Sequence, residues 1–171
     1  GIVLDGLGLG TEGTIWGGEV LVGDYRAVRR VAHLRPAALP GGDRAAREPW
    51  RNALVRLDQA GLGDLADRLF AEKPRASLRQ MVAAGMASPQ STSAGRLFDA
   101  VAAVLGLVTG AQSHEAEAAM RLEAIAGPEG PGYGFGPGLD PAPMLRGLVP
   151  GIVLTVFLIC LGSFAIALML G

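Results

Sequence analysis

The sequence predicts an α/β fold, strands first and helices after, followed by an apolar end of different character. Three observations carry this. Residues 2–34 hold short apolar and β-branched runs broken by glycines, Leu97–Leu105 carries a helical stripe, and no charged residue occurs from Gly147 to Gly171.

The opening stretch sets the functional question. An apolar run, Ile2 to Leu4, ends on Asp5, and behind it come Gly6, Gly8, Gly10 and Gly13. Gly8 to Gly13 spells G-x-G-x-x-G, but the dinucleotide-binding version of that pattern needs a helix next, and Thr14-Ile15-Trp16 leads into Gly17-Gly18 instead. The reading is strand, glycine turn, strand: an acid delivered into a turn the size of a phosphate, or a tight hairpin with no ligand.

Glu19 to Tyr25 and Arg26 to Leu34 read as the two strands of a hairpin around Gly23-Asp24, with a helix as the alternative for the second. His33, isolated among apolar neighbours, reads as a hydrogen-bonded structural residue. Asp43 is placed to cap a short helix, and Pro49 to open a second in which Trp50, Leu54 and Leu57 share a face to about Ala60. Two small helices, Asp64 to Ala71 and Ser77 to Ala84, flank Pro74, and Gln90 to Gly95 supply a break and a cap. Leu97, Phe98, Val101, Val104 and Leu105 then form the strongest helical stripe, with Asp99 off it, facing a cleft or water. A turn over Thr109–Ser113 precedes a helix from His114 to Ala126, whose Glu115, Glu117 and Glu123 suit a solvated face near a helix start. Gly127 to Pro143 read as loop, and Asp140-Pro141 as the cap and first residue of a further helix. Ile152 to Leu170 is apolar and long enough to cross a bilayer, which makes residues 147–171 a candidate transmembrane segment or an aberrant tail.

Composition narrows the function classes. The chain of 171 residues makes one domain of ordinary size, and its net charge of −1, with both signs interleaved, excludes a nucleic-acid surface and an acidic tail. The single cysteine, Cys160, excludes an internal disulfide and a cysteine-rich zinc site and fits a reducing compartment. The 26 glycines and 11 prolines fall mainly in the opening turn and near residues 127–143, so they mark loops. The chain starts on Gly1, in mid-strand and without a signal peptide, which leads us to expect a cut inside a larger protein.

Several motifs together resemble the HypF family, the carbamoyltransferases of NiFe-hydrogenase maturation. They are Asp5-Gly-x-Gly-x-Gly-x-x-Gly-Thr-Ile-Trp-Gly-Gly-Glu19, Ala32-His-Leu-Arg-Pro36, Leu39-Pro-Gly-Gly-Asp43, Arg47-Glu-Pro-Trp-Arg51 and Gly95-Arg-Leu-Phe-Asp-Ala-Val-Ala-Ala-Val-Leu-Gly106. Ser113 to Glu123 and Leu139-Asp-Pro-Ala-Pro143 continue the likeness, which covers residues 1–146. The resemblance implies a partial carbamoyl-transfer domain of the duplicated actin-like ATPase (ribonuclease H-like) fold, similar to the threonylcarbamoyl-transferases. It implies that carbamoyl phosphate and ATP yield a carbamoyl-adenylate, that the carbamoyl group passes to the C-terminal cysteine of the partner HypE, and that the complete enzyme holds zinc or iron and is cytoplasmic.

Carried over residue by residue, the resemblance makes Asp5 the metal-binding acid and Gly6, Gly8 and Gly10 the phosphate turn. Gly95 and Asp99 fall on the helix whose acid approaches the nucleotide, and Glu115 lies in a Ser-Tyr-Glu-Gly-Gln-Ala-Ala-like run where Ala116 replaces Gly and Glu117 replaces Gln. The histidine-rich metal motif expected ahead of Asp5 and the later glycine-rich nucleotide motifs are absent from these residues, so the chain as given is expected to be an inactive fragment. The alternative from another class is a non-enzymatic binding module attached to a membrane through residues 147–171.

Overall fold

The computed structural model describes residues 1–10, 12–127 and 132–151. β1 (Ile2–Leu9) and β2 (Ile15–Gly23) form an antiparallel hairpin, and β3 (Val28–His33) returns antiparallel along the Glu19–Gly23 half of β2. β5 (Gln90–Ser91) pairs in parallel with Ile15 on that same edge of β2, and β4 (Ala37–Ala38) closes the sheet antiparallel to β5. The expected hairpin around Gly23-Asp24 is present: the Asp24 carboxylate accepts the N–H groups of Arg26 and Ala27, which excludes a helix there. The strand reading needs one correction. β1 does not stop at Asp5 but runs through Gly6 and Gly8 to Leu9, and β2 is a single strand that passes through Gly17-Gly18.

The helices follow as α1 (Asp43–Arg47), α2 (Pro49–Gln59), α3 (Gly63–Leu69), α4 (Arg75–Ala83), α5 (Ala94–Val104) and α6 (Glu117–Ala124), with α7 helical over 142–151. Pro49 occupies the first turn of α2, where its missing N–H costs nothing. Ser93 caps α5 by accepting the Arg96 N–H at 3.0 Å, and the Asp140 carboxylate accepts the Ala142 N–H at 3.0 Å at the start of α7. Asp43, in contrast, caps nothing. The residue before α1 is Gly42, and Asp43 is itself the first helical residue, adding negative charge to the positive helix end.

The core lies between α2 and α5. Trp50, Leu54 and Leu57 of α2 meet Ala100, Ala103 and Val104 of α5, with Leu65, Phe70 and Leu78 closing the far side. The fully buried Ala53 and Ala100 let the two helices approach closely, and each large side chain withdrawn from water contributes about 1.5–3 kcal/mol. The stripe on α5 is therefore real except at Phe98, which is 41 % exposed. The apolar run that opens the chain is not core at all. β1 is an edge strand, and Ile2 and Leu4 are exposed. Among the described residues no helix is long and apolar enough to cross a membrane, and the segment expected to do so, residues 152–171, lies outside them.

Candidate functional site

A cleft of about 920 Å³ opens where the hairpin meets the start of α5 and the segment before α6. Its first wall is β1. Between the pairs Leu4↔Gly18 and Gly8↔Trp16, β1 advances four residues while β2 advances two, so Asp5, Gly6 and Leu7 bulge out of the ladder. At this bulge the Asp5 carboxylate is exposed and accepts the N–H of Gly6 at 2.6 Å. The Ser93 hydroxyl is aimed at the carbonyls of Asp5 and Gly6, so the residue that caps α5 also fixes the bulge.

The second wall is α5. Gly95 has to be glycine because β1 passes directly over it: a Cβ there would lie 2.9 Å from Gly6 Cα. One turn further, on the same face, Asp99 is 1 % exposed and lies on the cleft, the cleft-facing alternative of the sequence reading. Its Oδ2 lies 2.8 Å from Arg96 Nε, an ion pair too far off line to count as a hydrogen bond, so both atoms are buried without a hydrogen-bond partner. Gln112 Nε2 reaches its Oδ1 at 3.4 Å. Burial pushes the Asp99 carboxyl up to about 6, against the opposing pull of Arg96 and Gln112.

The third wall joins the end of α1 to residues 112–116. Gln112 donates its backbone N–H to Arg47 O and its side-chain amide to Ala46 O, both at 2.7 Å, and its Oε1 accepts the Ala118 N–H at 2.8 Å. The helix expected from His114 starts only at Glu117, because Ala116 turns left-handed at φ 61°, a region that favours glycine. Glu115 therefore precedes the helix and lines the cleft, whereas Glu117 is 6 % exposed. Glu117 accepts the backbone N–H of Ser113 at 2.6 Å and its hydroxyl at 2.9 Å, and pairs with Arg121 at 2.6 Å. The Ser113 contacts, with Arg121 assisting, hold its carboxyl below the usual range, so it serves as a structural anchor and not as a solvated charge.

Five of the residues singled out from sequence, Asp5, Gly6, Gly95, Asp99 and Glu115, thus line one cleft. Gly8 and Gly10 do not. Gly8 pairs with Trp16 in the ladder, and Gly10, whose N–H bonds Thr14 O at 3.0 Å, packs so tightly against the Trp16 indole that a side chain would collide with it. His33 makes a local contact from Nδ1 to Leu34 O at 2.8 Å, in keeping with a structural role. Residues that sequence reasoning passed over are Arg47, Arg96 and Gln112, all on the cleft, and Glu19, buried in β2. Glu19 is 1 % exposed and gathers the N–H groups of Gly17 and Gly18 at 2.7 Å, Arg30 Nη2 at 3.1 Å and the Thr92 hydroxyl. An acid ending the Trp-Gly-Gly-Glu run was the available signal; nothing local reveals that two distant donors, Arg30 and Thr92, meet it. Among the described residues no three of His, Cys, Asp and Glu come together as a metal site.

Residues 1–149 match the family model for the carbamoyltransferase Kae1-like domain, second subdomain. Carbamoyltransferase HypF of Rhodobacter capsulatus is 61 % identical over 153 residues, covering 88 % of this chain and 21 % of that protein. HypF2 of Cupriavidus necator is 46 % identical over 127 residues, covering 74 % of this chain and 16 % of that protein. The crystal structure of full-length HypF in its phosphate- and nucleotide-bound form superposes with a TM-score of 0.79 at 28 % identity, over 90 % of this chain and 25 % of that one. For T. kodakarensis HypF the TM-score is 0.73 at 30 % identity, over 89 % and 22 %. The chain therefore spans about a fifth of the length of such relatives.

Proposed function

Since the chain belongs to the HypF carbamoyltransferase family, we propose that its cleft binds the adenylate side of an ATP-dependent carbamoyl transfer in hydrogenase maturation. In this reading ATP, carbamoyl phosphate and one water supply a carbamoyl-adenylate, with phosphate and pyrophosphate released. The thiol of a partner's C-terminal cysteine, that of HypE, attacks the carbamoyl carbon. The carbon–oxygen bond to phosphate breaks, AMP leaves with the electron pair, a carbon–sulfur bond forms, and the thiol proton is lost. The similar full-length HypF described as phosphate- and nucleotide-bound supports a nucleotide as ligand.

The observation that carries the proposal is Asp99. Its buried carboxylate lines the cleft, and its Oδ2, charge-paired with Arg96 at 2.8 Å, has no hydrogen-bond donor in line, so it can accept one from a ligand such as a ribose hydroxyl. With its pKa near 6, Asp99 is mostly ionised at neutral pH and accepts that bond as a charged group. A side chain at Gly6 would meet open space, so a phosphate can approach the backbone there, and Leu4, Leu7 and Phe98 offer apolar surface to a base. The phosphate role expected of Gly6, Gly8 and Gly10 falls in this reading to Gly6, the one of the three that lines the cleft.

Zinc or iron does not fit the residues described. Asp5 brings one carboxylate, no group of three candidate ligands converges, and a metal site takes about three protein ligands. The chemistry assigned to this chain is accordingly binding and orientation. Calorimetric titration of the 171-residue chain with ATP and with 5′-O-sulfamoyladenosine, a stable mimic of an acyl-adenylate, tests it. Both are expected to bind and compete, and Asp99→Asn to weaken both about tenfold, the value of one charge-assisted hydrogen bond. Absence of binding of either compound at millimolar concentration overturns the proposal.

A further inference from the structure

Resting on that nucleotide reading, we infer that Arg47 is the side chain that receives the ligand's anionic phosphates. Two arginines line the cleft, Arg47 and Arg96. Arg96 is spent on Asp99 at 2.8 Å, whereas Arg47 has no ion-pair partner among the described residues. Its neighbours on either side illustrate the contrast, for Arg44 and Arg51 both pair with Glu48.

Arg47 is exposed but not loosely placed. Gln112 clamps the carbonyls of Ala46 and Arg47 together, at 2.7 Å each, and holds the end of α1 against the cleft wall. A guanidinium fixed at its backbone and free at its head loses little freedom when it grips a phosphate, and its planar fork matches phosphate oxygens two at a time. The demand for an anion with a donor attached has an independent source. Asp99, whose Oδ2 is ion-paired to Arg96 Nε at 2.8 Å but has no hydrogen-bond donor in line, lines the same cleft and can take a hydroxyl or amide hydrogen. A ligand with a donor for Asp99 and an anionic group for Arg47 satisfies both. Three carboxylates, Asp5, Asp99 and Glu115, also line this space, so a polyanion entering it needs a local cation, and Arg47 is the free one.

The experiment is calorimetric titration of the full chain with ATP, adenosine and inorganic tripolyphosphate. The proteins are wild type, Arg47→Gln, Arg47→Lys and Arg44→Gln, the last making the same charge change on α1 outside the cleft. Arg47→Gln is expected to weaken ATP and tripolyphosphate at least tenfold and to leave adenosine within twofold. Arg47→Lys should fall between wild type and Arg47→Gln, Arg44→Gln should match wild type, and all four should share one thermal midpoint. The inference is overturned if Arg47→Gln binds ATP like wild type, if Arg44→Gln loses as much, or if wild type holds adenosine as tightly as ATP. In those cases the nucleotide reading survives. It falls together with this inference only if wild type binds neither ATP nor adenosine.

Discussion

Replacing Asp99 by asparagine tests the buried carboxylate without a ligand. In the folded chain its pKa is about 6, against an ordinary value of 3.8. Two units at 1.36 kcal/mol each make about 3 kcal/mol. Because the folded value is the higher one, the native state holds the proton more tightly than the unfolded chain, and stability falls as pH rises from about 4 through about 6. Well below pH 3.8 the side chain is neutral in both states, and asparagine imitates it. Above pH 6 the wild type carries the whole cost and the variant none. The stability difference, Asp99→Asn minus wild type, is therefore expected to rise by about 3 kcal/mol between about pH 3 and pH 8, most of it between pH 4 and pH 7, in favour of the variant. Taking the difference matters, since Glu48 and Asp140, held low with the help of Arg51 and Arg35, lose stability in the opposite direction as pH falls. Both proteins share that loss, and it cancels. Urea unfolding at half-unit pH steps, followed through the buried Trp50, supplies the curve. A flat difference from pH 4 to 7, or a variant that weakens as pH rises, refutes the burial argument.

Gly95→Ala sets a methyl 2.9 Å from Gly6 Cα, a contact of backbone with backbone that cannot swing aside. A cost of about 1–3 kcal/mol, read as a thermal midpoint lowered by several degrees, is expected, and a melting curve equal to wild type would refute the close approach of β1 and α5. Glu19→Ala strips two backbone N–H groups and Thr92 of their acceptor and leaves Arg30 with Glu12, at 3.7 Å, as its remaining ion partner among the described residues. Urea unfolding should show a loss of about 3–5 kcal/mol, and a loss under 1 kcal/mol would show that the buried cluster contributes little.

The sequence determined the elements and the family. Residues whose partners lie within a few positions were legible: the Asp24 hairpin, Pro49 at the start of α2, the Ser93 cap, the Asp140 cap and the α5 stripe all follow from local geometry that a single chain segment dictates. So were the long motifs that mark the family. What reads locally but is decided by distant partners came out differently. Asp99 read as facing a cleft or water and lines the cleft, buried because Arg96 and Gln112 close over it; Phe98 sat on the apolar stripe and is exposed, because the cleft opens there. Ile2 to Leu4 read as an apolar strand and form an open edge, since no described strand pairs beyond β1. Tertiary structure alone assembled the cleft: Asp5 and Asp99 stand 94 positions apart in sequence and meet because Ser93 ties the start of α5 to the β1 bulge. Periodicity reports which face of an element is apolar, but which faces meet, and where a charge is left without a partner between them, is settled only by packing.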